Sequence, residues 1–61
     1  MIWTTRADGH EHARYHGERL RLRHMPTGWI ISRREYDGWL FVAGDTRRDV
    51  AIAKAREIID G

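Results

Sequence analysis

The chain has 61 residues, a formal net charge of +2 and no cysteine. A chain this short buries only about 60% of the surface that its unfolded form exposes, so few large apolar side chains remain to line a substrate pocket. We therefore expect a single non-enzymatic domain without a cofactor. The lack of cysteine excludes disulfide bonds and thiolate metal sites, and no apolar run of about 18 residues could cross a membrane. A cytoplasmic protein is expected.

The basic residues are concentrated in the middle of the chain. Residues 13–34 contain six arginines and one acid, which gives +5, whereas residues 35–61 contain four bases and six acids, which gives −2. Ten of the eleven basic residues are arginine, and the planar guanidinium group suits recognition of phosphate and carboxylate. A GC-rich coding genome would also favour arginine over lysine, so composition alone does not decide between a binding role and a coding bias.

The N-terminal segment contains a group of histidines. His10, His12 and His16 do not have the His-Glu-x-x-His spacing of zinc hydrolases, and only Asp8 or Glu11 is nearby as a further ligand. We favour a histidine-rich lead-in over a metal site. Residues 1–12 are expected to be flexible or to form a short edge strand, with residues 2–5 as the candidate strand and residues 13–16 as an extension of the strand that follows.

Residues 18–25 show the clearest strand pattern. Arg19, Arg21 and Arg23 alternate with Leu20, Leu22 and His24, and this period of two predicts a strand with one basic and one apolar face. A turn follows at residues 25–28, because proline and glycine suit turn positions. Residues 29–34 form the next predicted strand, although their alternation is imperfect. Asp37-Gly38 then predicts a hairpin that leads to a third strand at residues 39–43.

The last predicted element is an amphipathic helix. Thr46 and Asp49 have the spacing of a capping box, with Asp45 or Thr46 as the N-cap. The apolar residues after this start fall on one stripe at 100° per residue, and they are Ala51, Ile52, Ala55, Ile58 and Ile59. We expect Ile58 and Ile59 to be mostly buried against the sheet, so that Ile58→Ala costs about 2–5 kcal/mol.

Together these elements predict one α+β domain over residues 1–61, in the order (β)βββα. The sheet is expected to have three or four antiparallel strands because its turns are short. One C-terminal helix should pack on one face, and the other face should meet solvent or a partner. Of Trp3, Trp29 and Trp39, two are expected in the core and one at a contact surface. An open edge strand would also permit a homodimer.

The candidate binding site is the basic face of this sheet. A basic stripe is the usual electrostatic footprint of nucleic-acid binding. The candidate nucleic-acid-binding residues are Arg19, Arg21, Arg23, Arg33, Arg34, Arg47 and Arg48. The same stripe is also compatible with an ordinary solvated face paired with Glu35 and Asp37, and with a surface for an acidic host protein. No catalytic and no metal-binding residue is predicted.

Several short motifs resemble known proteins. Gly28-Trp29, Asp37-Gly38, Trp39 and the alanine-rich segment 46–59 resemble small uncharacterised proteins of actinobacterial phages and prophages. The helix start at residues 46–49 is similar to that of the arm-type DNA-binding domain of tyrosine recombinases, whose three-stranded sheet enters the major groove. It is also similar to the C-terminal half of double-stranded-RNA-binding domains. These resemblances imply a small accessory, DNA-binding phage protein.

The leading hypothesis is a small phage-encoded binding module that presents a basic sheet face to nucleic acid. The alternative is a small protein-interaction or host-inhibitory factor that uses exposed aromatic side chains on the sheet or its edge strand.

Overall fold

The computed structural model describes residues 1–61, and it contains a five-stranded antiparallel sheet followed by one helix. The strands are β1 (Thr4–Thr5), β2 (Glu11–Tyr15), β3 (Glu18–Met25), β4 (Gly28–Glu35) and β5 (Gly38–Asp45), and the helix α1 spans Arg48–Asp60. Each strand pairs with the next one in sequence, so the sheet order is β1-β2-β3-β4-β5. The expected α+β class and the C-terminal helix are confirmed, but the expected number of strands, three or four, is wrong. The helix is not long and apolar enough to span a membrane.

The fifth strand arises because a tight turn separates β2 from β3. His16 and Gly17 both have positive φ, 51° and 77°, and type I′ hairpin turns require positive φ at both central residues. Tyr15 therefore pairs with Glu18, and Ala13 pairs with Leu20. Positive φ is uncommon outside glycine, so His16 is a weaker turn signal than the asparagine that usually precedes glycine. Residues 13–15 thus belong to the separate strand β2, and His16 to the turn, rather than to an extension of the next strand.

The core lies between the helix and one face of the sheet. Its buried residues are Leu20, Leu22, Ile31, Ala43, Ala51 and Ala55. Ala51 and Ala55 are the buried residues of α1, and their small side chains let the helix approach β4 and β5 closely. Partly buried side chains surround this cluster: Trp3, Tyr15, Trp29, Val42, Ile52 and Ile59. Two of the three tryptophans thus pack against the core, and Trp39 does not.

The expected burial of Ile58 is wrong, because 58% of this residue is exposed. The line of α1 that faces the sheet runs through Ala51, Ala55 and Ile59, whose spacing is i, i+4, i+8. At 100° per residue Ile58 falls on the flank of this line. Lys54, four residues earlier, lies on the same flank and binds Asp45 at the end of the edge strand β5, so Ile58 lies on the flank of the helix that is turned toward β5. Ile59 is half-buried, as its place on the line requires.

The helix start differs from the predicted capping box. Arg47 occupies the N-cap position and makes no side-chain cap bond. Asp45 instead uses Oδ1 to accept the N–H of Arg47 at 3.0 Å, and it uses Oδ2 to accept a bond from Lys54 Nζ at 2.8 Å. Asp49 pairs with Arg47 at 3.6 Å rather than with the backbone at residue 46. An aspartate that binds a backbone N–H two residues on forms an Asx turn, and this turn leads the chain from β5 into α1.

The burial of Ile31 and the exposure of Ile58 generate a matched pair of substitutions. Ile31 is fully buried and Ile58 is 58% exposed. We expect Ile31→Val to lower the free energy of unfolding by about 0.5–1.5 kcal/mol, because a methyl group is lost from the core. Ile58→Val should change it by less than about 0.5 kcal/mol, as is usual at the surface. Urea denaturation followed by tryptophan fluorescence measures both. An equal loss in the two variants would contradict the helix orientation.

The contacts of Asp45 generate a pH dependence of stability. The Lys54 bond and then the Arg47 N–H hold the pKa of Asp45 below its ordinary value of 3.8. Since the folded pKa is the lower one, this stabilisation is present above the unfolded pKa and is lost as the pH falls through the folded pKa. We expect Asp45→Asn to lower the melting temperature at neutral pH, and the gap from the wild type should narrow below about pH 4. A gap that is constant down to about pH 2 would contradict this role of the carboxylate.

Candidate functional site

The sheet face that α1 leaves uncovered is built from the alternate residues of its strands. Leu20 and Leu22 point toward the helix, so the residues between them in β3 point to the opposite face. Directly paired residues of antiparallel strands share a face. Pairing places Arg14 beside Arg19, and Arg34 beside Trp39. We define the arginine face by the residues Arg14, Arg19, Arg21, Arg23, Arg34 and Trp39.

The arginine face extends across the sheet from β2 to β5, and along β3 it extends from Arg19 to Arg23. Three strand spacings of about 4.8 Å separate β2 from β5, and Arg19 and Arg23 are four residues of about 3.4 Å apart. The face therefore measures about 14 Å by 14 Å at the level of the backbone, and its five arginines, which lie on β2, β3 and β4, cover about 10 Å by 14 Å of it. Five guanidinium groups share this area, which is larger than a single small anion could contact.

Trp39 lies among three of these guanidinium groups. The distance from its ring centre to the guanidinium carbon is 4.3 Å for Arg21, 5.6 Å for Arg34 and 5.9 Å for Arg19. His12 adds an edge contact at 5.6 Å between ring centres. A cation over an indole face is attracted by the ring quadrupole. Trp39 thus offsets part of the repulsion between neighbouring arginines that form no ion pair with a carboxylate.

The two faces of the sheet differ in how their cations are compensated. On the helix side and at the helix start, four bases form ion pairs and Arg56 lies over the ring of Tyr15 instead. The ion pairs are Arg33 with Glu18 and Glu35, Arg47 with Asp49, Arg48 with Glu11, and Lys54 with Asp45. None of the five arginines of the arginine face forms an ion pair. Glu35, which the sequence left open as a partner of this face, binds Arg33 on the other side.

Of the seven arginines singled out from the sequence, the structure brings four together and separates three. Arg19, Arg21, Arg23 and Arg34 share the arginine face. The other three lie elsewhere: Arg33 pairs with Leu20 of β3 on the helix side, while Arg47 and Arg48 lie at the start of α1. Arg14 was missed because β2 was not recognised as a strand. Apolar and basic residues alternate on both sides of Gly17 in mirrored order. This pattern was the signal that could have placed Arg14.

Two arginines of this face carry buried atoms that lack a partner. The Nε atoms of Arg21 and Arg23 are buried without a protein hydrogen bond. Burial, and then the charges of Arg23 and Arg34, lower the pKa of Arg21, while the carboxylate of Asp8 acts in the opposite direction. Because arginine stays protonated in proteins, the lowered pKa means that the fold holds this positive charge at a free-energy cost. A bound anion would reduce that cost.

The histidines do not form the lead-in that the sequence suggested. His12 is a buried residue of β2, and its Nε2 lies 2.9 Å from Asp8 Oδ2. Arg19 lies 3.4 Å from His12 Nδ1, and the N–H of His10 donates to Asp8 Oδ1 at 2.9 Å. His16 lies in the β2–β3 turn beside Asp60 of α1, at 3.3 Å. No group of three or more His, Cys, Asp or Glu side chains is placed to hold a metal ion.

The backbone bond from His10 is the main reason that the pKa of Asp8 lies below its ordinary value, and His12 lowers it further. Asp8 is therefore an ionised partner that fixes the imidazole of His12 at the border of the arginine face.

Comparisons of the chain with models of protein families, with curated proteins and with solved structures gave no match.

Proposed function

We propose that the arginine face binds nucleic acid through its phosphate groups. The observation that carries this proposal is the segregation of charge: four bases at the helix start or on the helix side form ion pairs, whereas none of the five arginines on the open face does. Like charges on neighbouring strands repel. A regular series of anions from outside the chain would compensate them.

The dimensions of the face favour a polymer over a single anion. Five guanidinium groups over about 14 Å need several anions at regular intervals, and one nucleic-acid strand carries a phosphate every 3.4 Å or so along the duplex axis. Guanidinium groups also match phosphate oxygens bidentately. A nucleic-acid strand that lies across the sheet would contact several arginines at once and release the counterions of its phosphates.

The proposed binding is largely independent of base sequence. Contacts to phosphate and sugar position a protein on nucleic acid but do not read its sequence. The ring of Trp39 is already surrounded by arginines, and the exposed aromatic side chain beside it is Phe41, which is 62% exposed. Phe41 pairs with Ser32 on this same face, so it could stack on an unpaired base, which is also a sequence-tolerant contact.

A second candidate function rests on the open edge of β5, which borders the arginine face at Phe41. Leu40, Phe41 and Ile58 are 48%, 62% and 58% exposed, and β5 is the last strand of the sheet. An open edge with exposed apolar side chains is a surface for strand pairing or for a protein partner. In this alternative the molecule is a small protein-interaction factor, and its partner survives nuclease treatment in an affinity pull-down.

The phosphate-binding proposal predicts a steep salt dependence. Fluorescence anisotropy with labelled duplex and single-stranded probes should give weak binding at about 50 mM salt, with log affinity falling linearly against log salt. Each phosphate contacted on B-form DNA contributes a slope of about −0.9, so four contacts give about −3.6. Arg34→Gln should weaken binding to all sequences and flatten the slope by about one contact. Arg34 is suited to the test because it is exposed.

Arg47→Gln supplies the matched control for this experiment. Arg47 is an exposed arginine that lies at the helix start, where it pairs with Asp49, so the substitution makes the same change in net charge. It should affect affinity much less than Arg34→Gln. Equal effects of the two variants would mean that net charge, not the arginine face, drives binding. If neither probe binds at about 50 mM salt, the proposal is wrong and the β5 edge is the surface to test.

A further inference from the structure

A cavity of about 330 Å³ lies at the β1–β2 border of the arginine face. Its lining residues are Ile2, Thr4, Arg6, His12, Ala13, Arg14 and Arg19. Three arginines, one histidine and one threonine are among these residues, and no acidic residue is. We call it the Arg6 cavity, because Arg6 contributes to it without belonging to the arginine face.

The arginines of the Arg6 cavity are arranged without compensation. Arg14 and Arg19 are direct partners across β2 and β3, and like charges at directly opposite positions destabilise a sheet. Neither of them forms an ion pair, and neither does Arg6. Arg14 and Arg19 thus face each other beside Arg6, with no acidic residue among them. This is the arrangement expected around a bound anion.

His12 fixes the orientation of one of these arginines. Asp8 is an acceptor for His12 Nε2 at 2.9 Å, so that nitrogen carries the proton, and Nδ1 is left as an acceptor for Arg19 at 3.4 Å. His12 is only 6% exposed, so this chain of contacts is held within the fold. The carboxylate of Asp8 is therefore occupied by the imidazole, and it holds His12 in the tautomer that orients Arg19.

We propose that the Arg6 cavity binds a phosphomonoester, the terminal phosphate of a nucleic-acid strand that lies on the arginine face. This inference rests on the proposed function. A terminal phosphate carries a charge of about −1.5 to −2 at neutral pH and has three acceptor oxygens, whereas an internal phosphodiester carries a single charge. Three arginines around one cavity therefore favour the terminal group. The Thr4 hydroxyl supplies a further donor.

The position of the cavity supports a strand end over an internal phosphate. β1 is the edge strand on this side of the sheet, and its Thr4 lines the cavity together with Ile2. The row of arginines ends here, because β1 consists of two threonines. A nucleic-acid strand that follows the arginine face from β5 toward β2 thus makes its last contacts with cationic side chains in the Arg6 cavity.

The test compares short oligonucleotides of one sequence that carry an internal fluorophore and differ only in their ends: 5′-phosphate, 3′-phosphate or hydroxyl at both. Anisotropy titrations should show that one phosphorylated form binds about tenfold more tightly than the hydroxyl form, as expected for additional charge-assisted hydrogen bonds. Arg6→Gln should reduce this ratio toward one. Arg56→Gln is the control of equal charge, because Arg56 lies over Tyr15 on the helix side, and it should leave the ratio unchanged.

The outcomes of this test separate the terminal-phosphate site from the function on which it rests. Equal affinity for all three ends, with salt-dependent binding retained, overturns the terminal-phosphate site and leaves the arginine face in place. Absence of binding by every oligonucleotide overturns both. Competition with inorganic phosphate and a nucleoside monophosphate distinguishes the source of the group. If either compound displaces the phosphorylated oligonucleotide at concentrations near the dissociation constant of that oligonucleotide, the cavity is a site for a free phosphate compound. The strand-end proposal is then wrong.

Discussion

The alternation of leucine and arginine along β3 is the constraint on which the rest of the structure depends. β3 is the central strand of the five, and Leu20 and Leu22 are almost completely buried beneath the helix layer. Because side chains alternate strictly along a strand, burial of these leucines places Arg19, Arg21 and Arg23 on the opposite face. A shift of one residue in pairing would bury the arginines and expose the leucines. The core of the domain and its basic surface are thus fixed by the same register.

A domain with one helix has only one covered sheet face, and this determines how its charges are arranged. On the helix side, long basic side chains reach carboxylates from neighbouring strands and from α1, as Arg48 does with Glu11 at 2.8 Å. On the open face, the strands supply no carboxylate, and the indole of Trp39 takes that place through its contact with Arg21 at 4.3 Å. An aromatic ring attracts cations without neutralising them. The face therefore remains strongly positive while its arginines stay close together.

The extent to which the sequence predicts this molecule depends on how local each signal is. β3 and the hairpin at Asp37-Gly38 were predictable because alternation and turn chemistry act between near neighbours. β2 was not recognised, since its turn uses His16 in a left-handed conformation that few side chains adopt. The exposure of Ile58 could not be deduced from helical periodicity, because the periodicity defines a stripe and tertiary packing decides which part of the stripe meets the sheet.

The arginine face was likewise predictable only where its signals are local in the sequence. The period of two placed Arg19, Arg21 and Arg23 on one face, but the face of each residue in β4 depends on its pairing. Arg33 pairs with Leu20 and thus lies on the helix side, while its neighbour Arg34 joins the arginine face. The sequence of β4 did not show this, since both residues are arginine. The Arg6 cavity combines residues from the β1–β2 segment, β2 and β3, and such a combination depends on the register of two hairpins.

The simple strand order has a consequence for how the chain acquires its structure. β2, β3, β4 and β5 are joined by connections of two residues each, at positions 16–17, 26–27 and 36–37, so every pairing among them closes a minimal loop. Closing short loops costs little chain entropy, and proteins dominated by local contacts fold fast for their size. Each hairpin can form before the next one exists. We expect the docking of α1 across β4 and β5 to come last, because it needs the sheet to be present before it completes the core.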